Sequence, residues 1–390
     1  MVNVQTLESI YGDMVGWRRH LHANPELSFQ EVETSKMIAD LLSSWGLEVR
    51  RGVAGTGVVA KLEGAKPGGA IGLRADIDAL PIQDEKTASY RSTVPGVMHA
   101  CGHDGHTAEL LAVARYYSLH REEIAGSRIF LFQPGEEFLP GGANAMIADG
   151  ALNGVDAIFG VHLWSPMPYG YAGTRPGPFM ASPDEFELEL IGRGGHAGLP
   201  HESTDALVAG AALVTALQTI VSRNVNPLEE AVLSIGKFHS GSANNVIAER
   251  CRIGGTIRTF TPELRKFMRR RFEDVVKHTC ELYGCEYKLN YIEGYPPVVN
   301  DEQETARWFR VAETVMPGGV IASERVMAGE DFSYYLNHRP GCFFFVGAGE
   351  ADGSSAPHHH PRFDIDERAM LNAAKLLIAV ADDAAEDIKA

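Results

Sequence analysis

Nine consecutive residues, Met98-His99-Ala100-Cys101-Gly102-His103-Asp104-Gly105-His106, hold three histidines, a cysteine and an aspartate, with two glycines that let the backbone turn tightly. Cys101 and His103, two positions apart, can face one ion from a turning segment, and thiolate and imidazole are the donors that borderline-soft divalent metals prefer. Asp104 followed by Ala108, Leu110, Leu111 and Ala114 reads as an N-cap and a helix, so the cluster is expected at a helix N-terminus, where the dipole favours a thiolate. Candidate donors this dense outweigh the blander reading of a turn with one buried cysteine and some surface histidines. A metal site here constrains the fold, because further donors must converge on it from distant parts of the chain.

Strands are the expected source. Ala70 to Ala75 reads as a buried strand running into Asp76-Ile77-Asp78, and alternate residues of an extended segment share a face, so the two carboxylates project together. Arg128 to Gln133 is a second apolar strand, ending in Pro134-Gly135-Glu136-Glu137. Adjacent carboxylates directly after a buried strand are costly unless a positive group compensates them. A metal ion does so, with one glutamate ligating and its neighbour free to carry a proton. A third strand, Ala157 to Val161, delivers His162 at its end. Strand ends of this kind are where sites lie in open α/β sheets. Pro357-His358-His359-His360-Pro361 adds three histidines in a proline-flanked loop, one of which is expected to ligate.

The rest of the chain fills in the architecture. Residues 4 to 45 suit two amphipathic helices, with His20 and His22 near the Asn24-Pro25 break in supporting rather than ligating positions. Val49 to Leu62 reads as a hairpin around Gly55-Thr56-Gly57. At about residue 182 the pattern changes to strand-helix-strand-strand-helix-strand, the split βαβ or ferredoxin-like order. The expected fold is therefore α/β: a larger open mixed-sheet catalytic domain, residues 1–181 plus 293–390, with an inserted ferredoxin-like α+β satellite domain, 182–292. Two turns stand out in the later chain: Gly192 to Gly198, Gly-rich and presenting His196, and Ala328 to Ser333, acidic and opening a helix.

Composition excludes some partners. A formal net charge of -16 argues against nucleic acid or an anionic membrane. No apolar stretch is expected to span a membrane, and five scattered cysteines do not make a disulfide framework, so a cytoplasmic protein is expected.

With these residues in view, the chain resembles amidohydrolases of the hippurate hydrolase and plant auxin-conjugate hydrolase type, a branch of the co-catalytic metallopeptidases that include aminoacylases and glutamate carboxypeptidases. The resemblance covers nearly the whole chain. It is carried by Trp17 to His22, Pro25-Glu26-Leu27, Arg74 to Pro81, Met98 to His106, Gln133 to Glu137, Gly194 to Ala197, Asn245-Val246-Ile247, Gly255 to Arg258 and Glu330-Asp331-Phe332. It implies two divalent metal ions per subunit, of zinc, manganese, cobalt or nickel. Cys101 matches the bridging ligand, and His103, Glu137, His162 and His359 match terminal ligands. His359 is selected because the family pattern has a His two residues before a Pro. Glu136 matches the general base, and His196 a histidine that stabilises the oxyanion from the partner subunit. Asn245 and Arg258 match holders of the substrate carboxylate. Asp78 and Asp104 fall behind the ligands. Asp76 stands where the wider family has a His ligand, which leaves its role open.

The implied reaction is hydrolysis of the amide of an N-acyl amino acid by a two-metal-activated water, in a homodimer or homotetramer. A dipeptidase or an N-acetyl-diaminopimelate-type deacetylase is the rival enzyme reading. A structural metal-binding protein is the rival of another class, and the spare carboxylate of Glu136 argues against it, since closed structural sites hold four ligands and no free base.

Overall fold

In the computed structural model, which describes residues 2–388, the apolar runs become the middle of an eight-stranded mixed sheet. In spatial order the strands are Glu48–Val53, Gly57–Glu63, Ala125–Gln133, Lys66–Asp76, Ala157–Pro168, Gly341–Gly349, Ala172–Thr174 and Val320–Ala322. The four strands from Ala125–Gln133 to Gly341–Gly349 pair in parallel, and the hairpin continues the sheet antiparallel at one edge. Gly341–Gly349 is buried along its whole length and Ala125–Gln133 almost so, which is why they read as unbroken apolar runs rather than as alternation. The edge strand instead exposes Arg50 and Arg51, charges that discourage a further strand from adding there.

Helices Val4–Ala23, His103–Leu119 and Arg368–Asp387 pack on one another, and the last also lies along the central strands. Their shared core includes Leu7, Met14, Leu110, Leu111, Phe130, Phe159 and Leu377. Val4–Ala23 and Val32–Ser44 are the two helices that the periodicity of residues 4 to 45 predicts.

Two expectations about local structure are corrected. The helix begins at His103 with Gly102 as its N-cap, so Asp104 lies inside the first turn and does not cap it. Its carboxylate is drawn instead to Arg18 and His22. The strand expected to stop at Val161 runs on to Pro168, so His162 projects from its middle. Continued pairing with Gly341–Gly349, in which Phe345 stands opposite His162, keeps it extended.

The chain divides into two compact units. The sheet just described belongs to Met1–Phe179, Val299–Glu324 and Asp331–Ala390; the second unit is Met180–Val298 with Arg325–Glu330. In the second, Ala231–Ser240, Arg250–Thr259, Ser182–Ile191 and Glu286–Ile292 form an antiparallel sheet in that order, with helices Ala206–Thr219 and Pro262–Tyr283 packed on it. The first strand in sequence is therefore central, as the split βαβ order requires. Ser182–Ile191 buries Phe186, Leu188 and Leu190 against Leu213, Leu217, Phe272 and Val276, while Glu185 and Glu187, which alternate with them, are exposed.

One helix bears on the expectation about membranes. Ala206–Asn224 is long and apolar enough to cross a bilayer, with a mean hydropathy of 1.5 over its best window. Its leucines, valines and alanines make it so, and one face of it, with Ala206, Ala209, Leu213, Leu217 and Ile220, is buried in the second unit's core cluster.

The parallel pairing that carries His162 depends on close approach at one glycine. A Cβ at Gly341 would stand 2.0 Å from the carbonyl oxygen of Ile158. Gly341→Ala is expected to force these strands apart and to lower the unfolding free energy by about 1–3 kcal/mol, the usual range for overpacking. An unchanged urea midpoint would show that the strands have room to spare.

Candidate metal centre

Register brings the acidic residues together. Asp76 pairs with Gln133 across parallel strands, so Asp76 and the Glu136-Glu137 turn leave the sheet at the same level. Cys101 lies in the turn before helix His103–Leu119, and His103 is the first residue of that helix. The loop Pro357–Pro361 returns alongside them, the His359 N–H donating to the Ala100 carbonyl at 2.7 Å.

The donor atoms face one another. The His103 Nδ1 bonds the backbone oxygen of Asp78 at 2.9 Å and its carboxylate at 3.2 Å. That leaves Nε2 toward Asp76 at 3.7 Å, Glu137 at 3.8 Å and Glu136 at 4.0 Å. His162 Nδ1 is held by the Leu163 carbonyl at 3.0 Å, and its Nε2 lies 3.5 Å from Cys101 Sγ. His359 Nε2 is 3.3 Å from Glu137 Oε1, near enough for an ion pair although that buried oxygen makes no hydrogen bond of normal geometry. Asp78 also accepts from Ser28 Oγ at 2.7 Å and from the Glu137 N–H at 3.0 Å, so one carboxylate orients both a histidine and the acidic turn.

The three successive histidines divide their tasks. His358 is packed against Trp164 and His162, but its Nδ1 is hydrogen-bonded to the Cys101 carbonyl and its Nε2 accepts the Ser165 N–H. Both ring nitrogens are therefore in use, and neither lone pair is left for an ion. His359, at a φ of 64°, turns the other way with its Nε2 on Glu137. His360 Nδ1 accepts the Arg362 N–H. His106, inside the opening motif, is similarly committed: its Nδ1 meets Asp76 at 2.7 Å and its Nε2 accepts the Leu163 N–H at 2.9 Å.

The donor set fits divalent cations. Two ligands each about 2.0–2.3 Å from one ion stand roughly 3–4 Å apart, as Cys101 and His162 or Glu137 and His359 do here. His103, with its other nitrogen on a carboxylate, has the arrangement usual for a metal-bound imidazole. The electrostatics point the same way. Burial opposes it, yet Asp76, Asp78 and Glu137 together raise the His103 pKa to about 10. Burial, with Glu137, Glu136 and Asp76 nearby, pushes the Cys101 thiol well above its ordinary value. Carboxylates this close need positive charge, and a thiolate among them needs it more. Asp76 is held well below the usual carboxylate range by His103, His106 and Arg74 against the cost of its burial.

A layer behind these residues was only partly legible in the sequence. Arg18 meets Asp104 at 2.8 Å and Asp364 at 2.6 Å, and His22 meets Asp104 at 2.8 Å and Asp84 at 3.3 Å. Arg74 joins Asp76 to Asp331, both at 2.8 Å. Arg18 and Arg74 are charges within otherwise apolar periodicity, and that was the available signal.

In the second unit, His196 is exposed, with Nδ1 accepting the Gly198 N–H, and it stands opposite Val246 in a two-residue pairing. His196 and Asn245 line one cavity of about 910 Å³ with Arg193, Ser242 and Glu249. Arg258 lies on strand Arg250–Thr259, its Nε on Thr256 Oγ1, and is not among that cavity's lining.

A model of peptidase family M20/M25/M40 matches residues 72–383. The chain belongs to this family, and it is a hydrolase. Within the M20 peptidases it is 47% identical over 302 residues to the N-acyl-L-amino acid amidohydrolase of Geobacillus stearothermophilus, covering 77% of this chain and 81% of that one. It is 43% identical over 376 residues to the N-acetyl-L-cysteine deacetylase of Bacillus subtilis, covering 96% and 88%. The Bacillus subtilis YXEP protein, a dinuclear metal binding peptidase of the M20 family, superposes with a TM-score of 0.82 at 34% identity, over 96% of this chain and 98% of that one.

The layer behind the donors can be tested. Asp104→Ala leaves a buried arginine and histidine short of a partner, and breaking such a pair costs about 3–5 kcal/mol. Because Arg18 keeps Asp364 and Glu367, a loss near the low end is expected in chemical denaturation; no loss would mean that the contact carries no weight.

Proposed function

We propose that this M20 peptidase hydrolyses the amide bond of N-acyl amino acids, and that Cys101, His103, Glu137, His162 and His359 would hold two divalent ions. The observation that carries the reading is the buried Glu137 oxygen that makes no hydrogen bond, facing both His103 and His359. Bound ions would polarise the amide carbonyl and acidify a water. A thiolate with imidazoles and a carboxylate suits zinc, and the carboxylates also admit manganese, cobalt or nickel.

The chain's own residues do the proton work. Glu136 is 6% exposed, beside the donor cluster yet outside the ligand set, so it can take the proton from water and return it to the leaving amine nitrogen. Asp78 orients the His103 ring through Nδ1 and the acidic turn through the Glu137 N–H. Asp76 lies 3.7 Å from His103 Nε2 but is already engaged by Arg74 and His106, so it serves to fix the donors rather than to bind. In the second unit, His196 supports the developing oxyanion, and Asn245 and Arg258 hold the substrate carboxylate, for which a planar guanidinium is suited.

With N-benzoyl, N-acetyl and indole-acetyl amino acids assayed after reconstitution with each metal, turnover that depends on metal is expected. Glu136→Gln is expected to retain both ions by elemental analysis while kcat falls about 10²–10⁴-fold. Loss of the ions, or a near-normal rate, would reverse the division between Glu136 and Glu137.

His196→Ala is expected to keep its metals and lower kcat roughly 10²–10³-fold, as loss of an oxyanion donor does. If His196 acts on the partner subunit's substrate, mixing inactive His196→Ala and Glu136→Gln proteins under subunit exchange restores partial activity. Demonstrated exchange without recovery excludes action in trans.

A further inference from the structure

We propose that Glu31 is a positioning residue for Glu136: it fixes the backbone just before the base, as Asp78 fixes the backbone just after it. The inference rests on the reading of Glu136 as the base in amide hydrolysis.

Two buried carboxylates bracket Glu136 through backbone hydrogen bonds. The Glu137 N–H donates to Asp78 at 3.0 Å, and the Gly135 N–H donates to Glu31 at 2.9 Å. Asp78 also holds the His103 ring, so it serves the donors as well as the turn. Glu31 has no hydrogen bond or ion pair to any of the five proposed ligands; its polar partners lie in the turn, the hairpin and its own loop. The tether to Gly135 is therefore separable from metal binding.

Glu31 is fully buried, and among the described residues no cationic side chain pairs with it. A carboxylate taken out of water without a cation needs donors on its oxygens. One oxygen accepts both the Phe29 N–H and the Gly135 N–H at 2.9 Å, and the other accepts the Thr56 hydroxyl at 2.6 Å. Three separate segments thus meet at one carboxylate: the loop after the first helix, the acidic turn and the hairpin turn at Gly55-Thr56-Gly57.

The surrounding backbone is shaped to the same end. Phe29 has a φ of 63°, in the left-handed region that an aromatic residue rarely occupies. Such a conformation persists only where its surroundings hold it, and it clusters at functional sites. On either side of that reversal, Ser28 Oγ donates to Asp78 at 2.7 Å and Glu31 accepts the Gly135 N–H, so one short segment supports both brackets. The Phe29 ring lies on Gly135, where a Cβ would come within 2.4 Å of it. Gly57 lies similarly close to the turn: a Cβ there would stand 2.9 Å from Pro134 Cδ. A strained residue, a carboxylate without a cation and two glycines converge on one backbone N–H. What they hold still is the turn that carries the base.

Proton transfer is sensitive to placement, and a misplacement of about 1 Å can cost about a hundredfold. In Glu31→Ala, elemental analysis is expected to find the wild-type metal content. For N-benzoylglycine or N-acetylglycine, kcat should fall roughly 10–10²-fold with KM within about twofold, the pattern of an interaction felt only in the transition state. Glu31→Gln keeps an acceptor oxygen for both N–H groups and is expected to bring kcat back to within about threefold. In a Glu136→Gln background, Glu31→Ala is expected to cost nothing more, because no base is left to position. A further loss there would make Glu31 a general structural residue and overturn the proposal, as would lost ions or an undiminished kcat in Glu31→Ala. Should Glu31→Ala fail to fold, Thr56→Val, which takes only the hydroxyl from Glu31, carries the same comparison, and a wild-type kcat in it overturns the proposal. Hydrogen–deuterium exchange of the peptide spanning 133–138 reads the tether without turnover: faster exchange is expected in Glu31→Ala and wild-type protection in Glu31→Gln. Unchanged exchange in Glu31→Ala overturns the tether. A loosened turn in a protein that hydrolyses no N-acyl amino acid would leave the tether standing and overturn the proposed function instead.

Discussion

Arg74 is the charge on which the candidate centre depends. It is almost fully buried on the strand that ends at Asp76, with one nitrogen on Asp76, one on Asp331 and the third on Gln133. Gln133 in turn donates to both oxygens of Asp331, which also accepts the Ala143 N–H. The end of one strand, the start of the acidic turn and the chain beyond that turn are thereby fixed to a single guanidinium. A buried cation so placed is tolerable only because each of its three nitrogens has a partner, and removing one would leave charge poorly compensated in the interior. Much of the precision with which Glu136 and Glu137 face His103 is inherited from that arrangement.

The donors were legible in the sequence because their chemistry is conspicuous: a cysteine and histidines between glycines, carboxylates after apolar runs, histidines between prolines. Parallel strands then needed no further information to bring them together. What periodicity could not give was the allocation among similar neighbours. His106 and His358 are as plausible as ligands on paper as His103 and His359; in the structure both ring nitrogens of His106 and His358 are hydrogen-bonded, whereas His103 and His359 turn Nε2 toward Glu137. Asp104 has the spelling of an N-cap, but a helix starting two residues earlier than that leaves it free to meet Arg18. His162 lies in mid-strand because pairing with a segment nearly two hundred residues later prolongs the strand, and no local window contains that partner.

The second unit was readable for the opposite reason. Its strand Ser182–Ile191 alternates buried and exposed residues, and its helices are long, so the period changes from two to 3.6 are clear. Arg325–Glu330 is the exception: it joins that unit through the Ala181 N–H, shared between the carbonyls of Val326 and Ala328, and through Arg325 on Glu230. Six residues without helical or strand periodicity carry no sign of that destination. Phe29 was equally silent, since nothing in its neighbours announces a left-handed backbone.

The insertion of the second unit has a consequence for synthesis. Cys101, His103, Glu137 and His162 all precede that unit in the chain, whereas His359 and strand Gly341–Gly349 follow it. A ribosome therefore releases most of the donors long before it releases the segment that completes the sheet beside His162. During that interval the satellite can fold on its own local pairings, but the strand that carries His162 must wait with one sheet neighbour missing. Non-local pairing of this kind is slow and leaves apolar strand edges open. The order of the chain makes the His162 side of the candidate centre wait for the last strand of the sheet.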